Sequence, residues 1–502
     1  MRKKVIIVGG GTAGWMTACL MAKRLADNVD ITVIESPDVP TVGVGEGSTP
    51  SLRHFFAELG ITDADWMPRC QATYKVGIEF TGWSPQSGPD SYRHPFISQL
   101  DSFSERPFQV NCQTRRLGLD VCTQPEAFLF NGYLGKAGKA PITPAHFPFR
   151  IEYGYHFDSA LLGIFLSEHA AALGVTRLCD TVSDVAISSQ GDISHLETSQ
   201  HRRLQADLFV DCTGFQSLLL QQALGVEFES FADALFNNRA VVIATEADPS
   251  APVETRSTAL KHGWAWRIPL QHRTGNGYVY SDAYTTAEQA EEELKAHLGL
   301  TGQPVNVRHL SMKVGQVRQH WAANCLAVGL SQGFIEPLEA TALHLVQQTI
   351  MQFCQMWQKG NFTTAQQDNY NTLLRRQFLA VKDYIQAHYK LNTRQDTAYW
   401  RDNRNNRQLS TPLLEVLDAW YRKQDIGDVL ARQQSPSHFT STSWLCLLAG
   451  YGIFPPPAAN QPGTGDMLSE HDLPAFFNGC LLNFQRQKDL WADPACASRC
   501  HG

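Results

Sequence analysis

The run Val5-Ile6-Ile7-Val8 leads directly into Gly9-Gly10-Gly11-Thr12-Ala13-Gly14, and no other segment constrains the fold as strongly. A short, wholly apolar run marks a strand buried on both faces of a parallel sheet. The glycines fit GxGxxG. Gly9 permits a tight turn, Gly11 lets a pyrophosphate approach the backbone, and Gly14 allows close helix–strand packing. Gly10 and Ala13 complete the turn. A helical stretch from Thr12 to about Leu25 and a second buried strand, Ile31-Thr32-Val33-Ile34, follow. Glu35 stands 21 positions after Gly14, where an acid meets a ribose, and Ser36 is next to it. The pattern predicts a right-handed strand–helix–strand unit with phosphates at the helix N-terminus. A purely structural glycine turn is the plain alternative. The strand before, the helix after and the acid in place favour a dinucleotide.

Composition narrows the class. The 502 residues allow about three domains at roughly 150 residues each, or two large interleaved ones. At 43% hydrophobic the chain has ample apolar surface for a core, which excludes a disordered protein. A net charge of −7 with no long Lys/Arg run argues against a nucleic-acid partner. No apolar run approaches the roughly 18 residues of a membrane span, and Met-Arg-Lys-Lys before a short strand lacks a signal-like apolar stretch. The expectation is a cytoplasmic protein without membrane contact. The twelve cysteines are too sparse for a disulfide scaffold. Cys19, Cys325, Cys354 and Cys446 read as reduced core residues. Cys496, Cys500 and His501 read as a frayed tail rather than a zinc site, so no metal is expected.

Tyr74 to Phe80 alternates with period two, placing Tyr74, Val76, Ile78 and Phe80 on one strand face and Lys75, Gly77 and Glu79 on the other. Residues 84–150, rich in Pro, Gly and aromatics, read as long excursions rather than regular elements. Asp158 caps a helix to Leu173. Leu208-Phe209-Val210 and Leu326-Ala327-Val328 are further buried strands. Helical spacing runs from Thr341 to about Trp357, then over about 364–390 and 412–432. The expected organisation is an α/β, Rossmann-like core from 1–83 and 151–360, a loop-rich excursion at 84–150 lining the substrate site, and a mainly helical part at 361–502.

The glycine turn does not choose between NAD and FAD. The segments Ala206–Gly214 and Cys325–Gly329 resemble flavin-contacting strands of the large FAD-dependent monooxygenase superfamily. Three further segments sharpen the likeness: Gly263-Trp264-Ala265-Trp266-Arg267-Ile268-Pro269, which matches WxWxIP; Gly43-Val44-Gly45-Glu46-Gly47-Ser48-Thr49-Pro50; and Gly333-Phe334-Ile335-Glu336-Pro337-Leu338-Glu339-Ala340-Thr341. Together with the glycine turn they resemble the flavin-dependent halogenases of the tryptophan-halogenase type, from residue 1 to about 400, with a looser echo at Ser443-Trp444 and Gly450-Tyr451-Gly452.

That resemblance implies an FAD-binding fold of the flavin-monooxygenase type. It implies FADH2 supplied by a separate flavin reductase, consumption of O2 and of chloride or bromide, and hypohalous acid that travels through a tunnel to an electron-rich ring. It also implies a homodimer. Gly47, Leu330 and Leu343 join the glycine turn, Glu35 and Ser36 as FAD contacts. Lys75 matches the catalytic lysine; taken alone, a lysine is usually a solvated surface group. Glu339 matches the catalytic glutamate, polarising the oxidant and accepting the ring proton; its plain reading is a first-turn glutamate favoured by the helix dipole. Glu336 competes with it, and the family's Pro-Leu-Glu pattern selects Glu339. Thr341 and Ala342 match the halide-site amides, but this chain reads Glu-Ala-Thr-Ala where tryptophan halogenases read Glu-Ser-Thr-Gly. Trp264 and Trp266 match the pair that keeps substrate from the flavin; otherwise they are one face of a core strand. His94-Pro95-Phe96 resembles the segment whose His and Phe sandwich an indole, and Trp444 belongs with it. No cluster that would clamp a free amino acid can be placed. Indole, a substituted indole or phenol, and a peptide-borne tryptophan all stay open. The alternatives are an FAD-dependent aromatic monooxygenase and a non-catalytic flavin-binding protein.

Overall fold

The computed structural model describes residues 2–38, 45–248, 250–434 and 436–492. Gly43 and Val44, and the tail with Cys496, Cys500 and His501, lie outside them.

Strand Lys3–Val8 pairs in parallel with Val29–Glu35 on one side and Leu208–Asp211 on the other. Thr176–Cys179 and Cys325–Ala327 extend the parallel sheet, and Trp321–Ala322 closes it antiparallel, giving six strands. Helix Thr12–Leu25 makes the first crossover, with its bounds where the sequence puts them. It buries Trp15, Met16, Cys19, Leu20 and Met21, a continuous inner face. Asp158 caps the helix Ser159–Ala172, Oδ1 accepting from the amides of Ala160 (3.0 Å) and Leu161 (3.2 Å).

A seven-stranded mixed sheet stands beside this core and carries Gly263–Pro269 between Thr255–Leu260 and Arg273–Tyr280. The strand expected over 74–80 is divided between two sheets. Thr73–Lys75 pairs with Gly154–Asp158, whereas Gly77–Thr81 joins the seven-stranded sheet. Both faces are buried, so the alternation does not separate core from solvent. Lys75 ends the first segment, at the seam where the two sheets meet.

Residues 84–150 differ from the expectation of irregular loops. They contain strand Ser91–Pro95 and helices Glu105–Arg116, Pro125–Phe128 and Phe130–Ala137. Pro107 sits in a first helical turn, where its missing N–H costs nothing, so it does not break the helix. Helices Ala342–Lys359 and Gln367–Leu391 pack behind the core, and the apolar run at 412–432 forms two helices, Thr411–Tyr421 and Ile426–Gln433. Cys19, Cys325, Cys354 and Cys446 are free and buried. Among the described residues no helix is long and apolar enough to cross a membrane.

Candidate active site

The glycine turn has the geometry of a phosphate cradle. Gly9 has φ +115°, a backbone that side chains rarely adopt, and a methyl there would meet the Cys212 carbonyl oxygen at 2.2 Å. At Gly14 a methyl would lie 1.9 Å from the Gly9 oxygen. Gly11 differs, because a methyl there would meet nothing within 4 Å. It faces open space at the start of the helix, which no side chain caps, so the terminal N–H groups are free for an anion. Glu35 ends the second strand with its carboxylate against Gly10 and paired to Arg177. Ser36 Oγ is 2.8 Å from Thr181 Oγ1. Gly329 packs so closely on Ala13 that a methyl there would approach its Cβ to 2.8 Å. This brings Leu330, on the turn after Cys325–Ala327, beside the same helix, and Leu343 starts the next helix, buried. These residues fit a flavin dinucleotide.

Gly47 links that region to Lys75. A methyl on Gly47 would stand 3.2 Å from Lys75 Nζ, 3.3 Å from Thr255 Oγ1 and 3.5 Å from the His156 ring. Lys75 is fully buried, and among the described residues its ammonium has no hydrogen-bond partner. Its Nζ lies 5.4 Å from the centroid of the Phe96 ring. Burial pulls its pKa down to about 7, against the opposing field of the Glu339 carboxylate. Burial, helped by the Lys75 charge, likewise drives the His156 imidazole well below its ordinary value.

Glu339 is buried, and both hydrogen bonds fall on one oxygen: Oε1 is 3.0 Å from His94 Nδ1 and 3.0 Å from His388 Nε2. A carboxylate only accepts, so each imidazole presents an N–H. Burial raises this carboxyl, but the two histidines outweigh it and hold it well below the usual range. His388 Nδ1 lies 3.0 Å from Tyr451 Oη. Sequence reasoning missed His388 and gave His94 to a stacking role; the structure also places His94 Nδ1 against Glu339. The only signal for His388 was its place on a helix, 49 residues beyond Glu339.

Around them stand aromatic rings. Tyr384 stacks on Phe439 at 3.6 Å, and Trp444 meets Tyr384 edge-on at 4.9 Å. His94 is 6.3 Å from the Tyr384 ring. Pro95 and Phe96 follow His94 along the strand end, Phe96 N–H donating to the Val76 carbonyl. Trp264 and Trp266 are buried with centroids 6.1 Å apart, and the Trp266 ring lies across Gly277. Thr341 is fully buried, its hydroxyl without a hydrogen-bond partner among the described residues, immediately before the helix Ala342–Lys359. The cavity of about 270 Å³ lined by Arg115, Gln124 and Phe454 is separate from these side chains.

The family model described as tryptophan halogenase matches residues 4–464, further than the motifs alone indicated. The chain is 36% identical to the tryptophan 6-halogenase SttH of Streptomyces toxytricini over 91% of each protein. It is 32% identical to the tryptophan 7-halogenase RebH of Lentzea aerocolonigenes over 93% of each. The crystal structure of the tryptophan halogenase from Shewanella frigidimarina superposes with a TM-score of 0.87 at 32% identity, covering 99% of this chain and 98% of that one. The chain belongs to the tryptophan halogenase family of flavin-dependent halogenases.

Proposed function

We propose that the chain places chlorine or bromine on an electron-rich aromatic ring, an indole or tryptophan-like group, with Lys75 and Glu339 as the groups that act on it. The observation that carries this reading is the Lys75 amine, buried without a hydrogen-bond partner among the described residues, beside Phe96 and within the field of Glu339. Gly9, Gly10, Gly11, Ala13, Gly14, Glu35, Ser36, Gly47, Leu330 and Leu343 would hold FAD. When bound and reduced by a separate flavin reductase, that group would supply, with O2 and halide, the chemistry that yields hypohalous acid.

Every other step belongs to the chain. The amides of Thr341 and Ala342, at a helix start, suit the halide as a helix N-terminus suits any anion. Trp264 and Trp266 wall the ring chamber from the flavin, and a tunnel past them leads to Lys75. With a pKa near 7, Lys75 donates a hydrogen bond to hypohalous acid as the ammonium, or as the amine forms an N–halogen bond while the O–halogen bond breaks and the amine proton leaves with the hydroxide as water. Glu339 takes the proton that the ring carbon loses as the carbon–halogen bond forms. Its Oε1 is committed to His94 and His388, which leaves Oε2 for that proton. Phe96, Tyr384, Phe439 and Trp444 supply the aromatic walls. A peptide-borne indole fits the same chemistry as a free one, and the working assembly is a homodimer in the cytoplasm. An aerobic assay with FAD, a flavin reductase, NADH and bromide over an aromatic panel tests this. A product with bromine's isotope doublet supports it, and a product heavier by one oxygen, independent of halide, refutes it.

A further inference from the structure

The loop Gly333–Thr341 holds two buried carboxylates three residues apart, and Glu339 accounts for only one. Glu336 is 1% exposed. Its Oε2 accepts from Trp264 Nε1 at 2.8 Å, from Asn237 Nδ2 at 2.9 Å and from Tyr389 Oη at 2.5 Å. Tyr399 Oη donates to Asn237 Oδ1 at 2.9 Å, which fixes the amide with its NH2 toward Glu336. One carboxylate oxygen thus joins three segments far apart in sequence, and charge-assisted bonds of this kind are the strong ones. Glu336 Oε1 has no hydrogen-bond partner among the described residues.

Tyr389 directly follows His388 in the helix Gln367–Leu391. One step of that helix therefore supplies a donor to Glu336 and a donor to Glu339. Between the two acids the loop folds on itself, Leu338 N–H donating to the Glu336 carbonyl (2.9 Å) and Ala340 N–H to that of Pro337 (3.0 Å). Ala340 has φ +56°, a left-handed backbone that a residue with a β-carbon keeps only where its surroundings hold it.

We propose that Glu336 is a positioning residue: through one oxygen it pins the Trp264 indole in the wall between flavin and ring chamber and, through Tyr389 and the loop, fixes Glu339 against His388. This rests on the reading of Trp264 as a partition and Glu339 as proton acceptor. Without the brace the indole is free to turn and Glu339 to slip, so oxidant is lost before it reaches the ring.

The test measures halogenated product formed per reduced flavin oxidised, substrate KM and melting temperature in Glu336→Leu, Glu336→Gln and Tyr389→Phe, with Glu339→Gln in parallel. Glu336→Leu and Tyr389→Phe are expected to lower product per flavin about tenfold, with flavin oxidation and KM unchanged within about twofold. Glu336→Gln is expected to restore at least half of it, because its amide oxygen accepts the same bonds. Full coupling in Tyr389→Phe, which loses only a hydroxyl, overturns the proposal even where Glu336→Leu does not fold. So does a Glu336→Gln enzyme no better coupled than Glu336→Leu. An undiminished Glu339→Gln enzyme would instead overturn the underlying assignment of Glu339. A Glu339→Gln enzyme that is inactive beside a fully coupled Tyr389→Phe enzyme removes the brace alone.

Discussion

His388 Nε2 donates to Glu339 Oε1 across 3.0 Å, with both side chains buried. Tyr451 faces the other nitrogen of the same ring, so the histidine is held from both sides and its N–H toward Glu339 is fixed. With His94 on the same oxygen, Glu339 stays ionised despite its burial, as a proton acceptor must.

Glu339→Gln removes that charge; its amide oxygen can keep both imidazole donors, while the NH2 group replaces Oε2, the atom left for the proton. Proton acceptance by a positioned base contributes about 10²–10⁴-fold, and the halogenation rate should fall by that order. Substrate affinity, measured by titration, should change by no more than a few-fold. A variant at more than a tenth of the wild-type rate contradicts the role.

Gly11→Ala separates folding from flavin binding. The backbone at Gly11, φ −76° and ψ −179°, suits alanine, and the added methyl meets no protein atom. The melting temperature of the flavin-free protein should therefore hold within about 2 °C. FAD affinity should drop at least about tenfold, because the methyl enters the space where the pyrophosphate sits. Unchanged affinity in a fluorescence titration would place the phosphates elsewhere.

Lys75 gives the fold a pH dependence of definite sign. Its pKa is about 7 in the folded chain and 10.5 in the reference state, so between those values the unfolded chain binds more protons. Its contribution to stability therefore rises with pH from about 7 to about 10.5 and is least favourable below that window. Lys75→Met, which removes the buried charge, should be more stable than wild type at pH 7. The gap should narrow as pH approaches 10, read from urea midpoints at each pH. A gap that stays constant over the window would show that the amine is not desolvated.

The glycine turn, its helix and Glu35 were legible in the sequence because each is local: strand, turn, helix and acid lie within one crossover. Asp158 as a helix cap was legible for the same reason. Lys75 was singled out through motif resemblance, but its burial was not legible. Period-two alternation implies a wet face and a dry one, and here a strand broken at Val76 lies between two sheets with both faces covered. The helices within 84–150 were masked by prolines, glycines and aromatics that belong to helix starts and ends and to core contacts. His388 and Tyr389 were beyond reach, since only tertiary packing brings adjacent residues of one helix to two acids of one loop.

The most direct measurement is bromination by wild type and Lys75→Ala, each loaded with FAD and supplied with reductase, NADH, O2 and bromide. Wild type should yield an aromatic product with bromine's isotope doublet. Lys75→Ala should yield none while binding FAD with wild-type affinity. Undiminished bromination by Lys75→Ala would contradict the account.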